Sequence, residues 1–311
     1  MSGTITAVCI SKAKGVRKEP VPEAQLCANW GIEGDAHAGK WHRQISLLSI
    51  TSVDKMREAS LERGIDLAPG DFAENLTVAG MDVAALPIGT YLTVGDALLE
   101  VTQIGKKCHH NCEIFKQVGE CVMPKEGIFA RVLKGGKVST GDKIEVWNGI
   151  PVAVITASDK GSKGEREDLS GQEIKQMISE INGEVIDYRI LPDDIDILAG
   201  AMTELIDQTG AALVLTTGGT GFAQRDVTPE ATLKVIERQV PGLPEAMRRE
   251  SYSKTSRAML SRATSGIRGK SLIVNLPGSP KGVRECLQVI MPVLPHAIEI
   301  LRGTGGECGK Q

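Results

Sequence analysis

No apolar stretch in this sequence approaches the roughly 20 residues that a membrane-crossing helix requires; the longest, such as 211–215 and 271–276, fall far short. No membrane partner is therefore expected. Excess charge is equally scarce. Of 36 Lys and Arg and 39 Asp and Glu, 17 and 18 precede Gly149 while 19 and 21 follow it, giving −1 and −2 of a net −3. Neither half offers the field a polyanion needs, so nucleic acid is not an expected partner. Phosphate chemistry would have to come from backbone N–H groups, a few placed cations and a metal. Cysteine is sparse and scattered, 7 in 311 residues, and no leader with a basic start and apolar core opens the chain. These features lead us to expect reduced thiols in a cytoplasmic protein.

The length and a hydrophobic content of 41% suffice for two domains. The text changes character near residue 150. Before it come short β-like runs broken by glycine, at 5–10, 91–94, 97–103 and 143–147, which predict a mostly-β, barrel-like domain over 1–147. Asn148-Gly149-Ile150-Pro151 is the expected linker. Beyond it, short all-apolar strands alternate with amphipathic helices, predicting an α/β domain over 152–303 with a mainly parallel sheet covered by helices on both faces. The remainder, 304–311, is expected to be a flexible tail carrying Cys308.

The second half begins with a strand at 152–156 and a loop containing Ser158, Asp159, Gly161 and Gly164. Ile174, Met177, Ile178 and Ile181 then recur at helical spacing, with Gly183 as the expected left-handed stop. A strand at 184–190 leads through Leu191-Pro192-Asp193-Asp194 into a second stripe, Ile195, Leu198, Ala199, Met202, Leu205 and Ile206, closed by Gly210. An apolar strand at 211–216 enters Thr217-Gly218-Gly219-Thr220-Gly221, and Thr228-Pro229-Glu230 are expected as N-cap, N1 and N2 of the next helix. The plan repeats with a strand at 271–275, the loop Leu276-Pro277-Gly278-Ser279-Pro280-Lys281-Gly282, and a closing helix that Pro292 and Pro295 should kink. Either glycine-rich turn alone could be a plain tight connection. Two at strand carboxyl ends, with Asp226 and Lys281 just beyond them, point to an anionic ligand.

Thr216-Thr217-Gly218-Gly219-Thr220-Gly221 followed by Arg225-Asp226-Val227-Thr228-Pro229-Glu230, together with Asn275-Leu276-Pro277-Gly278-Ser279-Pro280-Lys281-Gly282, resembles the molybdopterin adenylyltransferases, the gephyrin G-domain-like family. The resemblance covers nearly all of 151–303. It implies transfer of AMP from ATP to the terminal phosphate of molybdopterin, release of pyrophosphate, and a homotrimer built through this domain. It maps the family's two functional aspartates onto Asp193 and Asp226. A phosphate nucleophile needs no general base, so carboxylates holding Mg²⁺ against the triphosphate suit this chemistry. Both aspartates also read as turn or capping residues. Ser158 and Asp159 match a further family position, Arg225 and Lys281 are candidate phosphate partners or plain surface cations, and the two glycine loops supply the remaining cofactor-binding candidates. Two relatives in function stay open: molybdate-inserting enzymes of the same fold, and a silent pterin-binding module.

In the first half, Lys106-Lys107-Cys108-His109-His110-Asn111-Cys112 is the densest local chemistry. A structural zinc site lacks its second Cys/His pair. A thiol beside cations favours the thiolate, while a small buried cysteine is the plainer reading. Gly34-Asp35-Ala36-His37-Ala38-Gly39, Arg43-Gln44-Ile45-Ser46, Phe72-Ala73-Glu74-Asn75-Leu76 and Thr102-Gln103 resemble a MOSC domain, the C-terminal domain type of molybdenum cofactor sulfurase, over about 1–147. The resemblance implies a cysteine that carries sulfur or coordinates molybdenum, mapped to Cys108 with Cys112 second, and pocket roles for His37 and Glu74, which could equally serve local turns. No desulfurase domain accompanies it. The two resemblances together imply molybdenum-cofactor biosynthesis with other enzymes of that pathway as partners. A non-catalytic carrier of molybdopterin or the finished cofactor is the alternative.

Overall fold

The computed structural model describes residues 1–61, 64–107 and 121–303, and the chain folds as two compact units, Met1–Asn148 and Gly149–Gln311. In the first, strands β1 (Ser2–Ile10), β2 (Ile45–Ser49), β3 (Leu76–Ala79), β4 (Tyr91–Val94), β5 (Ala97–Ile104), β6 (Ile128–Lys134) and β7 (Lys143–Trp147) lie in the order β7-β4-β5-β6-β2-β3-β1. Pairing of Ser2 with Glu145 and Thr4 with Lys143 brings β1 back onto β7 and closes a seven-stranded barrel among the described residues. Closure leaves the paired strands no open edge. Among the described residues of this unit only β2 and β3 pair in parallel. The connection between them, as a parallel pair requires, contains a helix, α1 (Ile50–Leu61).

The two-residue period of a strand sorts the side chains. Ile45 and Leu47 join Ile5, Val8, Leu92, Leu99 and Ile144 in one core cluster, whereas Leu48 points the other way, toward Val53, Leu67, Phe72 and Phe129. Each such fully buried aliphatic side chain contributes about 1.5–3 kcal/mol of transfer free energy.

In the second unit, strands β8 (Ile150–Ala157), β9 (Gly183–Leu191), β10 (Leu213–Thr217), β11 (Arg238–Gln239), β12 (Ser265–Arg268) and β13 (Ser271–Leu276) form a sheet of order β9-β8-β10-β13-β12-β11. The first four run parallel, and β12 and β11 add an antiparallel edge. Alternate residues feed opposite layers. Val152, Val154, Leu213, Leu215 and Val274 pack on α2 (Leu169–Ile178), α5 (Gly242–Lys254), α6 (Pro280–Ile290) and α7 (Leu294–Arg302). Ala153, Ile155, Val214 and Ile273 pack on α3 (Ile195–Glu204) and α4 (Thr228–Val235). A sheet buried on both sides explains why these strands read as unbroken apolar runs.

Three local expectations are corrected. The left-handed stop after α2 is Asn182, at φ 54°, and Gly183 already starts β9; a short polar side chain tolerates that conformation. Thr228 is the first residue of α4 rather than its cap, Val227 preceding it without a side-chain bond. Its hydroxyl instead donates to the Gly218 carbonyl at 2.9 Å. The closing helix is broken outright: a 3₁₀ turn, Met291–Val293, separates α6 from α7, because Pro292 and Pro295 each remove a backbone donor.

Candidate active site at the strand carboxyl ends

Parallel pairing sets the ends of β8, β10 and β13 side by side, with Thr156 opposite Thr217 and Thr217 opposite Leu276. The loops leaving them enclose a cavity of about 290 Å³ lined by Thr156, Ser158, Asp168, Ser170, Asp193, Thr217, Gly218, Gly219, Asp226 and Gly278, among others. Thr217 donates its hydroxyl to the Pro277 carbonyl at 2.6 Å, and Ser170 to the Gly278 carbonyl at 2.9 Å, fastening the two glycine loops. Close approach demands glycine here. Gly218 has φ +90° and a Cβ on it would meet the Ala157 carbonyl at 2.3 Å; on Gly219, at φ +62°, it would meet Thr228 Oγ1 at 2.4 Å and Asp193 Oδ1 at 3.1 Å.

The carboxylates are held from behind. Asp193 Oδ2 accepts the Asp159 N–H at 2.9 Å, and the Asp193 N–H is returned to Asp159 Oδ1 at 3.1 Å. Arg225 grips Asp159 with two bonds of 2.9 and 2.7 Å, and that pairing keeps the Asp159 carboxyl below its ordinary range. Burial pushes Asp193 upward, and the charges of Asp159 and Asp226 add to it, partly offset by the Asp159 N–H and Arg225. Asp226 Oδ2 accepts the Ala223 N–H at 2.8 Å, and a Cβ on Gly221 would meet the same oxygen at 2.8 Å. Arg262, which no sequence motif singles out, donates to the carbonyls of Gly221 and Asp226 and pairs with Glu230.

Of the sequence candidates, Ser158, Asp193, Thr217, Gly218, Gly219, Asp226 and Gly278 share this cavity. Thr220, Gly221, Pro277 and Ser279 line an adjoining one of about 310 Å³. Ser158 and Ser279 are also helix N-caps, accepting from Gly161 and Gly282. Asp159 and Arg225 bind each other, and Lys281 is exposed at the start of α6, lining neither cavity. Asp168 escapes the sequence reading. It caps α2 through the Gly171 N–H at 2.9 Å and accepts the hydroxyls of Thr156 and Tyr188; an aspartate three residues before a glycine, ahead of the Ile174 stripe, is the available signal.

Among the described residues no three His, Cys, Asp or Glu converge to hold a metal. The donor set at Asp193 and Asp226 is two hard carboxylates whose like charges oppose each other. That fits Mg²⁺ delivered with a polyphosphate, since this ion takes one or two carboxylates and completes its shell with phosphate and water.

In the first unit, Cys108 and Cys112 lie outside the described residues. Glu74 is 0% exposed, and its oxygens accept the N–H groups of Gly70 and Phe72 and the Thr77 hydroxyl. His37 remains partly exposed above a buried pair, its backbone N–H on Asp35 Oδ1 at 2.9 Å and Nδ1 3.3 Å from Lys18 Nζ. Burial, with Glu74 adding to it, pushes the buried Cys9 thiol up to about 12, away from the thiolate form.

Comparison with known proteins accords with this division. Residues 153–296 match the family model of a probable molybdopterin binding domain, and residues 34–145 match the MOSC domain. A molybdopterin adenylyltransferase of Helicobacter pylori is 45% identical over 156 residues, 50% of this chain and 89% of that protein. One from Escherichia coli is 35% identical over 170 residues, covering 50% and 87%. The molybdopterin biosynthesis enzyme MoaB from Thermus thermophilus is 45% identical, covers 50% of this chain and 97% of that one, and superposes with a TM-score of 0.48. Through its second unit the chain belongs to the molybdopterin adenylyltransferase family, a family of molybdenum-cofactor biosynthesis, and its first unit is a MOSC domain.

Proposed function

We propose that the second unit is an ATP- and Mg²⁺-dependent molybdopterin adenylyltransferase. The observation that carries this reading is the convergence of Asp193 and Asp226 on a cavity walled by the backbone of Gly218, Gly219 and Gly278. A terminal phosphate oxygen of molybdopterin attacks the α-phosphorus of ATP, a P–O bond forms to AMP, and pyrophosphate leaves with the bonding electron pair. The incoming oxygen is already anionic, so no side chain has to remove a proton. Asp193 and Asp226 hold the triphosphate's counter-ion, Mg²⁺, which supplies charge neutralisation at the phosphates. Gly218 and Gly219 let the chain backbone approach the phosphates, and Ser158 lies on the same wall. Homotrimeric assembly through this unit and a cytoplasmic location belong to the same reading.

Replacing Asp226 with Ala should abolish pterin-dependent pyrophosphate release while leaving the circular dichroism spectrum unchanged; retained turnover would remove Asp226 from the mechanism. For the first unit we propose sulfur or cofactor handling through Cys108, with Cys112 as the second candidate. Cys108→Ser should lose sulfur loading or cofactor retention, and unchanged sulfur content together with unchanged binding would leave Cys108 a structural thiol.

A further inference from the structure

We propose that Arg262 is a positioning residue for adenylyl transfer, a clamp that sets the Asp226 carboxylate against the metal ion of the triphosphate. That role rests on the transferase reading of the second unit. Asp226 closes a tight turn that begins near Gly221: its N–H donates to the Ala223 carbonyl at 2.9 Å and its Oδ2 accepts the Ala223 N–H at 2.8 Å. Those bonds are local and fix the interior of the turn. Arg262 fixes its ends. From 41 and 36 residues along the chain, its Nε donates to the Gly221 carbonyl at 2.7 Å and one Nη to the Asp226 carbonyl. Its own N–H donates to the Thr220 carbonyl at 2.9 Å.

The groups that Arg262 takes, and the one it leaves, define the role. It binds main-chain carbonyls and not the carboxylate. Among the described residues Asp226 Oδ1 has no hydrogen-bond partner, and no cation pairs with Asp226. A guanidinium on the carboxylate itself would compete with a metal ion for the same oxygens and cancel the charge that attracts it. The remaining guanidinium nitrogen pairs with Glu230 in the first turn of α4, so a carboxylate other than Asp193 or Asp226 answers the charge of the clamp. A planar fork holds three acceptors in fixed directions at once, which a single ammonium does not. Arg262 lines neither cavity, although Asp226 lines the first and Gly221, Ser261 and Ala263 line the second. It therefore braces Asp226 from within the wall and stays out of the space offered to substrate.

Metal–nucleotide binding tests this apart from turnover. The full chain is titrated with Mn²⁺ and an ATP analogue whose α and β phosphorus atoms are joined by a methylene group, and binding is read from the enhanced relaxation of water protons. Arg262→Gln should weaken binding of the Mn²⁺–analogue pair at least about fivefold, and Arg262→Lys by less. The loss in Arg262→Gln should not exceed the loss in Asp226→Ala, the residue through which it acts. A destabilised fold alone would lower the melting temperature and leave the affinity of the folded protein where it was. Unchanged affinity in Arg262→Gln, where Asp226→Ala weakens it, would overturn the clamp and keep the transferase; so would a loss greater than that of Asp226→Ala. A wild-type chain that binds no Mn²⁺–analogue pair, or whose binding Asp226→Ala leaves unchanged, would overturn the metal role of Asp226 and the clamp with it. Should Arg262→Gln fail to fold by circular dichroism, Arg262→Lys decides by the same comparison.

Discussion

At the scale of single residues, the site depends on what is small as much as on what is charged. Gly219 stands between Thr228 Oγ1 and Asp193 Oδ1 in a left-handed conformation. Gly219→Ala should cost about 1–2 kcal/mol of stability and lower turnover more than tenfold, because the added methyl displaces the Asp193 carboxylate. Thermal melts and pyrophosphate release test this together, and unchanged turnover would detach Asp193 from the chemistry. Asp168→Ala removes a helix cap and the partner of two hydroxyls, a loss of about 1–3 kcal/mol. In the first unit, burial works against the charge on Asp35, but hydrogen bonds from His37 and Lys18 outweigh it and hold the carboxyl below its usual range. A folded pKa below the unfolded one stabilises the fold above the ordinary carboxylate range and is lost as pH falls through the folded value. Urea melts followed by tryptophan emission should therefore weaken steadily below about pH 5. Asp35→Asn should flatten that acid limb, and a wild type with no acid limb would contradict the pairing.

At the scale of elements, one residue joins helix to loop. The Thr228 hydroxyl and N–H bind the Gly218 and Gly219 carbonyls respectively, so the start of α4 and the first glycine loop move as one piece. Thr228→Val keeps the volume and should cost about 1–2 kcal/mol, with turnover reduced, as a melt and a pyrophosphate assay would show. The same contact marks where sequence reading stops. The helical stripes of α2 and α3 and both glycine loops are legible because their signals are local: spacing, composition and turn residues. Thr-Pro-Glu reads as a cap because nothing in it announces a carbonyl ten residues upstream that takes the hydroxyl. Asn182 and Gly183 are adjacent candidates for one left-handed position. The partners of Asp168, Thr156 and Tyr188, lie on two different strands, and the barrel closes by pairing residues 2–4 with 143–145, contacts that no window along the chain contains. Glu74 likewise serves a turn that buries it completely, and the sequence offers that role only as one of two.

At the scale of the whole molecule, the two units have separate cores, and tryptophan belongs to only one of them. Asp226→Ala should leave the tryptophan-detected melt untouched. The most direct measurement mixes the purified chain with molybdopterin, ATP and Mg²⁺ and follows pyrophosphate and adenylylated molybdopterin together, with Asp226→Ala alongside. Equal amounts of the two products, dependent on the pterin and absent in the variant, are expected. Tight molybdopterin binding with no pyrophosphate from either protein would contradict the transferase and leave a carrier.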